Sequence, residues 1–286
     1  MKILSFGEII WDIYPNKRCI GGAPLNFAAH TAKSGAEAYL LSSVGDDTLG
    51  KEAIRILENL GVNCELVAVN PEKSTGTCTV LLNKDGIPSY TIDENRAYDH
   101  IKACADISLY GFSAISFGTL ALRSKNNRHV LKEILENKAG KVFCDLNLRL
   151  PFYDKELVDW AMSVSDIVKI NEDELKYLTE GLIEKSAAHV SNSLRIISEK
   201  YENLDLIVYT CGENGAYVYE KAKNNLYYRP AERVEVVSTV GAGDSFGAVF
   251  LTEYLRGESI ESCLCKATHR SAKVVACEEA VPTNIH

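Results

Sequence analysis

Residues 238–250 read STVGAGDSFGAVF. Three small residues, Gly241, Ala242 and Gly243, are followed at once by a carboxylate, Asp244, and then by an apolar run. Small residues that open a helix leave its first backbone N–H groups free. Those donors, with the helix dipole, hold an anion well. A carboxylate does not help to bind phosphate there, but it is well placed as a general base beside the anion. It would take a proton from a hydroxyl while the helix start steadies the charge on a transferred phosphoryl group. On these residues alone a structural reading stands beside the chemical one, with Asp244 an acidic first-turn residue favoured by the dipole.

Two other glycine patterns invite chemistry and fail in detail. GDDTLGKE, residues 45–52, nearly matches the phosphate loop GxxxxGK[ST], but Glu52 stands where a hydroxyl should touch magnesium. Asp46 and Asp47 would repel phosphate oxygens. The stretch reads as a strand-to-helix turn capped by Asp47 or Thr48. GAGDSFG could be a variant dinucleotide loop, but the next ~20 residues look helical where the fingerprint needs a second strand. The early segment LSFGEIIWD has one glycine, not three.

The elements that would position these residues alternate. KILSFG reads as a strand, APLNFAAHTAKSG as a helix ending at Gly35, AYLLSSVG as a strand, and TLGKEAIRILENLGV as an amphipathic helix ending at Gly61. The middle changes character. TGTCTVLLNKDGIPSYTI holds two strand-like runs around Lys84-Asp85-Gly86, a hairpin signal. After about residue 106 the alternation resumes: AISFGTL, NNRHVLKEILENKAG, KVFCDLN, DIVKIN, EDELKYLTE, a long helical stretch to about residue 200, and LDLIVYTCG. AYVYEKAKNNLYYRPA looks like another hairpin. Alternating strand and helix argues for a mostly parallel sheet covered by helices. The expectation is one α/β domain over residues 1–286, with a small β extension at about 10–20 and 64–100.

Composition limits the partners. The 286 residues carry 31 basic and 39 acidic side chains, a net charge of -8, with no basic block. Such a chain is not drawn to nucleic acid or to an anionic membrane. The start MKILSFGEIIWDIYP is broken by Glu8 and Asp12, and no apolar run reaches the ~18 residues of a membrane span. A cytoplasmic protein is expected. The nine cysteines, Cys19, Cys64, Cys78, Cys104, Cys144, Cys211, Cys263, Cys265 and Cys277, form no CxxC pair and no zinc set. They read as small hydrophobes in a reducing compartment.

The run STVGAGDSF resembles the C-terminal signature of the ribokinase-like sugar kinases, the phosphofructokinase B family. Five further stretches resemble that family's elements in family order: GGAPLNFA (21–28), VGDDTLG (44–50), DLNLR (145–149), NEDE (171–174) and TCGENGA (210–216). The resemblance implies a three-layer α/β sandwich with a small β lid over the sugar, and ATP-dependent phosphorylation of a sugar hydroxyl. It makes Asp244 the base and Gly241, Ala242 and Gly243 the anion hole. It puts Asn171 and Glu174 on the magnesium–phosphate side, with Glu174 reaching Mg2+ through water. Thr210, Gly212 and Gly215 would line the ATP. Asp12, Gly22 and Asn26 would hold sugar hydroxyls, and Arg149 would face phosphate or substrate charge. It also implies a homodimer paired through the lid.

One departure bears on cofactors. The signature usually opens Asp-Thr-Thr, and here it opens Ser238-Thr239-Val240. The Asp and second Thr that help hold a monovalent cation in activated members are both replaced, which puts a potassium site in doubt. The combination GEIIWDIYP, GGAPLNFA and NRAYD (95–99) looks most like the fructokinase branch. A 2-keto-3-deoxygluconate kinase or another sugar or nucleoside kinase is the alternative, and a non-catalytic sugar or nucleotide binder is the alternative of another class.

Overall fold

Along the first strand Ile3 packs to one side while Leu4 and Phe6 join a different cluster. The same alternation recurs down the sheet. Val142 and Cys144 face one layer and Phe143 the other, and Val168 and Ile170 oppose Ile167. A strand buried on both faces needs helices above and below it, and that is the architecture of this computed structural model. It describes residues 1–82, 88–104, 107–136, 140–181 and 186–284.

The chain runs β1 (Lys2–Phe6), β2 (Ile10–Ile13), β3 (Arg18–Gly21), α1 (Ala23–Lys33), β4 (Glu37–Gly45), α2 (Thr48–Asn59), β5 (Val62–Asn63), β6 (Val67–Asn70), β7 (Gly76–Leu82) and β8 (Pro88–Ile92). It continues through β9 (Ala114–Gly118), α3 (Lys125–Glu136), β10 (Lys141–Asp145), α4 (Lys155–Val164), β11 (Ile167–Asn171), α5 (Glu172–Leu178) and α6 (Ala187–Lys200). It ends with β12 (Leu206–Thr210), β13 (Ala216–Glu220), β14 (Asn225–Arg229), α7 (Ala242–Leu255) and α8 (Ile260–Val275).

The main sheet has the order β14-β13-β12-β11-β10-β9-β1-β4-β5. Pairings from β5 to β12 are parallel, and β13 and β14 add an antiparallel hairpin at one edge. Helices α3, α4 and α6 cover one face, and α7 and α8 cover the other. The expected mostly parallel sheet between helices is present. A second sheet, β3-β2-β7-β8, stands apart from it.

That second sheet differs from the expected β extension in one respect. Residues 67–70 fall within the range expected for it, yet β6 pairs in parallel with β4. The chain returns to the main sheet before leaving it again at β7. The expected turn at Lys84-Asp85-Gly86 lies outside the described residues. The failed phosphate loop is a strand-to-helix turn. Asp47 caps α2 by accepting from the Gly50 N–H at 2.8 Å, and its second oxygen accepts from the Thr75 N–H at 2.8 Å.

Candidate active site

Helix α7 starts under constraint. Gly241 has φ 77°, and a Cβ there would lie 2.7 Å from the Ala280 carbonyl oxygen, so the C-terminal segment closes over the turn. The left-handed conformation and the close approach both require glycine. The Ala242 N–H turns back to Thr239 O at 3.3 Å, whereas the N–H groups of Gly243 and Asp244 have no backbone acceptor among the described residues. Of the expected anion hole, Gly243 therefore presents a free donor and Ala242 a bent one.

Asp244 sits in the first turn of α7. Its Oδ2 accepts a 2.8 Å bond from Asn26 Nδ2, 218 positions away in the chain. Asn26 is inside α1, not at its cap. The cap is Gly22, with φ 111°, where a Cβ would lie 2.5 Å from Glu8 O. Asn26 Oδ1 is buried and has no partner among the described residues, which leaves an acceptor beside the carboxylate. Burial pushes the Asp244 carboxyl up to about 6. Asp145 adds to the shift, and the Asn26 bond, Lys169 and Arg149 oppose it.

Three buried charges lie beside this helix start. Lys169 and Glu174 are 5% and 3% exposed. Lys169 Nζ donates to Asp145 Oδ2 at 2.7 Å. Burial disfavours the Lys169 charge, but Asp145, Glu174 and Asp244 outweigh it and raise its pKa. Glu174 accepts from the N–H groups of Leu148 at 2.9 Å and Asn171 at 2.8 Å, and Asn171 Oδ1 accepts from the Glu174 N–H at 3.0 Å. This is a reciprocal capping box on α5. Burial, then Asp145, raises the Glu174 pKa. Among the described residues no three His, Cys, Asp or Glu side chains are grouped to hold a metal.

The expected ATP-side residues lie at the ends of neighbouring strands. Asn171 closes β11 and is the register partner of Thr210, which closes β12. Thr210 Oγ1 reaches Ile170 O at 3.4 Å, and Gly212 follows with φ 52°. Gly215 has φ 92°, and a Cβ would lie 2.1 Å from Arg229 O, so the turn admits no side chain. Asn171, Thr210, Gly212 and Gly215 thus border one another. In the replaced signature the Val240 N–H donates to Ser238 Oγ at 3.2 Å, and the Val240 side chain is exposed.

Asp12 lies in the middle strand pair of the small sheet, opposite Cys19 on β3 and Cys78 on β7. Burial raises its pKa, while the Cys78 thiol, which donates to it, and Arg149 lower it. Arg149 is exposed and follows β10. It acts on Asp12, Glu8 and Asp244 alike, so the cation faces both the small sheet and the helix start.

Two residues of this cluster are not among the site residues expected from the sequence. Glu8 is 2% exposed, and its Oε2 has no partner among the described residues. Burial pushes it up to about 7. Its own N–H works against the shift, Asp244 adds to it, and Arg149 and the Ala23 N–H oppose it. Lys169 is the other. Its signal was a charge inside the apolar strand run DIVKIN, where a buried ammonium needs a partner.

Comparison with known proteins follows the geometry. The pfkB family carbohydrate kinase model matches residues 15–285. The chain is 28% identical to probable fructokinase-5 of Arabidopsis thaliana, covering 90% of this chain and 84% of that one. It is 26% identical to fructokinase-2 of Zea mays, covering 90% and 81%. Among solved structures, fructokinase from Vibrio cholerae with fructose, ADP and calcium bound superposes with TM-score 0.83 at 21% identity, covering 98% and 94%. Aminoimidazole riboside kinase from Salmonella enterica, complexed with aminoimidazole riboside and an ATP analogue, gives 0.81 at 22% identity, covering 98% and 95%. With its ribokinase-like fold and a family match over nearly its whole length, the chain belongs to the pfkB family of carbohydrate kinases, phosphotransferases that act on a sugar hydroxyl.

Proposed function

We propose that the chain is an ATP-dependent fructokinase with Asp244 as its general base. The observation that carries this reading is the Asn26–Asp244 bond, which aims a carboxylate at the start of α7 beside free N–H donors. In the reaction Asp244 takes the proton of a sugar hydroxyl. That oxygen forms a bond to the γ-phosphorus of ATP, the bond from phosphorus to the ADP oxygen breaks, and ADP leaves with the electron pair. The N–H groups at Gly241, Ala242 and Gly243 stabilise the charge on the moving group. Asn171, Thr210, Gly212 and Gly215 border the nucleotide, and Asp12, Gly22 and Asn26 hold the sugar.

Charge balance supports a divalent cation that travels with the nucleotide. Five carboxyls (Glu8, Asp12, Asp145, Glu174 and Asp244) face two cations, Lys169 and Arg149. With no grouped ligand set among the described residues, these residues fit magnesium held mainly by phosphate and water. Bound with the phosphates it would neutralise their charge, and Glu174 is the side chain that would hold it through water.

Fructose as the sugar rests on the curated relatives that are fructokinases. Arg149 beside Asp12 favours a second reading, a keto sugar acid whose carboxylate would meet the guanidinium. The small sheet, with edge strands β3 and β8, is the surface we assign to a homodimer. No helix of the described residues is long and apolar enough to cross a membrane.

The test is ADP release with magnesium-ATP against fructose, 2-keto-3-deoxygluconate, ribose, tagatose and adenosine. Turnover highest on fructose supports the reading. A sugar acid as the sole good substrate moves it to the second reading, and no turnover with or without potassium removes both.

A further inference from the structure

The glycine at 247 has no role in the phosphoryl cradle, yet it stands four residues after Gly243, on the same side of α7. Both lie against one side chain. A Cβ on Gly243 would be 3.2 Å from Lys169 Nζ and 3.7 Å from its Cε. A Cβ on Gly247 would be 3.5 Å from Lys169 Cδ and 3.2 Å from Phe143 Cζ. The two glycines form a groove along the helix, and the lysine stem runs up it from β11. The ammonium emerges under the first turn, with Asp145 on one side and Glu174 and Asp244 facing it.

For the helix alone this placement is poor. The N-terminal end of a helix is its positive end, and a cation there is unfavourable. Burying an ammonium there adds a desolvation penalty, and three carboxyls, Asp145, Glu174 and Asp244, are gathered round it to outweigh that penalty. The arrangement makes sense if the positive charge is needed at that point. We propose that Lys169, admitted through the Gly243–Gly247 groove, is a positioning residue that supplies fixed positive charge to the phosphoryl cradle and to Asp244. The proposal rests on the reading of Asp244 as the proton acceptor.

Asp244 is faced by Glu8 after β1, by Asn26 of α1, by Asp145 of β10, by Lys169 of β11 and by Arg149 beyond β10. Burial and then Asp145 push its proton affinity up, and Asn26, Lys169 and Arg149 push it down. Removing the ammonium while keeping Asp145 must therefore raise the pH at which Asp244 ionises. Removing both charges of the pair cancels much of that change.

The experiment uses the full chain in three forms: wild type, Lys169→Met, and Lys169→Met with Asp145→Asn. Methionine keeps a stem in the groove, and the double variant leaves no unpaired buried charge if the single variant fails to fold. Asp244 is titrated directly by carbon NMR of its carboxyl group, a readout that needs no turnover. The steady-state rate is then measured across pH on the sugar that wild type uses best. The Asp244 titration is expected to move to higher pH in the single variant and back in the double. The plateau kcat is expected to fall roughly 10-fold or more in both, by analogy with loss of one electrostatic donor, with sugar KM changed less than kcat. An unmoved titration in the folded single variant, or a plateau kcat that recovers in the double, would overturn the proposal. Full activity in Asp244→Asn would instead sink the functional reading, and the NMR result would still judge the effect of Lys169 on Asp244.

Discussion

The C-terminal edge of the main sheet and the small sheet hold their charges differently. At the main-sheet edge Lys169 and Glu174 are almost wholly buried, Lys169 paired with Asp145 and Glu174 held by two backbone N–H groups. Two large apolar clusters brace the strands that carry them, one on each face. The small sheet packs on a modest cluster, built on Ile10, Cys78, Val80 and Tyr98, while Trp11, Ile13 and Ile20 join a second one with β4 residues, and it leaves Leu81 55% and Tyr90 54% exposed. Its polar residue of interest, Asp12, is only partly buried. The difference teaches a division of labour. On the proposed reading, groups that must be placed within tenths of an ångström for phosphoryl transfer sit on rigid, doubly covered strands or, like Asp244, on the helix packed against them, and the group that would hold a sugar sits on the less deeply packed small sheet.

Breaking the braced region should give the largest effect on stability. Phe143 contacts Phe27 with ring centroids 5.5 Å apart and lies under Gly247. Phe143→Ala should cost about 3–5 kcal/mol, read as a shift in the urea midpoint at unchanged slope. A loss under about 1 kcal/mol would mean that the main-sheet core is not the brace described here.

The buried acids sharpen the contrast through pH. Glu8 rises from 4.5 to about 7 on folding. Its protonated form is therefore favoured in the folded chain. The stability it contributes is complete below pH 4.5 and is lost as pH rises through about 7. Glu8→Gln stays neutral throughout. Relative to wild type it should gain on the order of 3 kcal/mol between those limits, seen as a growing difference in Tm. A constant difference across that range would contradict the burial argument.

The smallest effect belongs to the small sheet. Arg18 of β3 meets Glu52 of α2 at 2.6 Å, with both side chains partly in solvent. Arg18→Ala should change stability by less than about 1 kcal/mol. A loss as large as that of Phe143→Ala would erase the distinction between the two regions.

Much of this was legible in the chain. Alternation of strand and helix gave the mostly parallel sheet, because strands buried on both faces read as apolar runs between helical patterns. Asp244, Gly22, Asn26 and Asn171 stood in short motifs whose spacing is local. Lys169 stood in none, and Glu8, though it falls within GEIIWDIYP, gave no sign of its place at the site, because their partners come from other elements. The Lys169–Asp145 pair spans β10 and β11, and Glu8 meets Asp244 across most of the chain. The return of β6 to β4 was equally invisible, since the period of a strand does not name its neighbour. Glu174 shows why a motif fixes a position more readily than a role: one glutamate both caps α5 and stands at the site.

The central claim is tested most directly by measuring sugar binding and kcat together in Asp244→Asn and Asp12→Asn. Sugar affinity in Asp244→Asn should stay near wild type while kcat falls about 10²–10⁴-fold, the range for loss of a general base. Asp12→Asn should weaken sugar binding with a much smaller loss of kcat. Wild-type turnover in Asp244→Asn, or equal losses of binding and kcat in both variants, would contradict the assignment of chemistry to the main-sheet edge and of sugar holding to the small sheet.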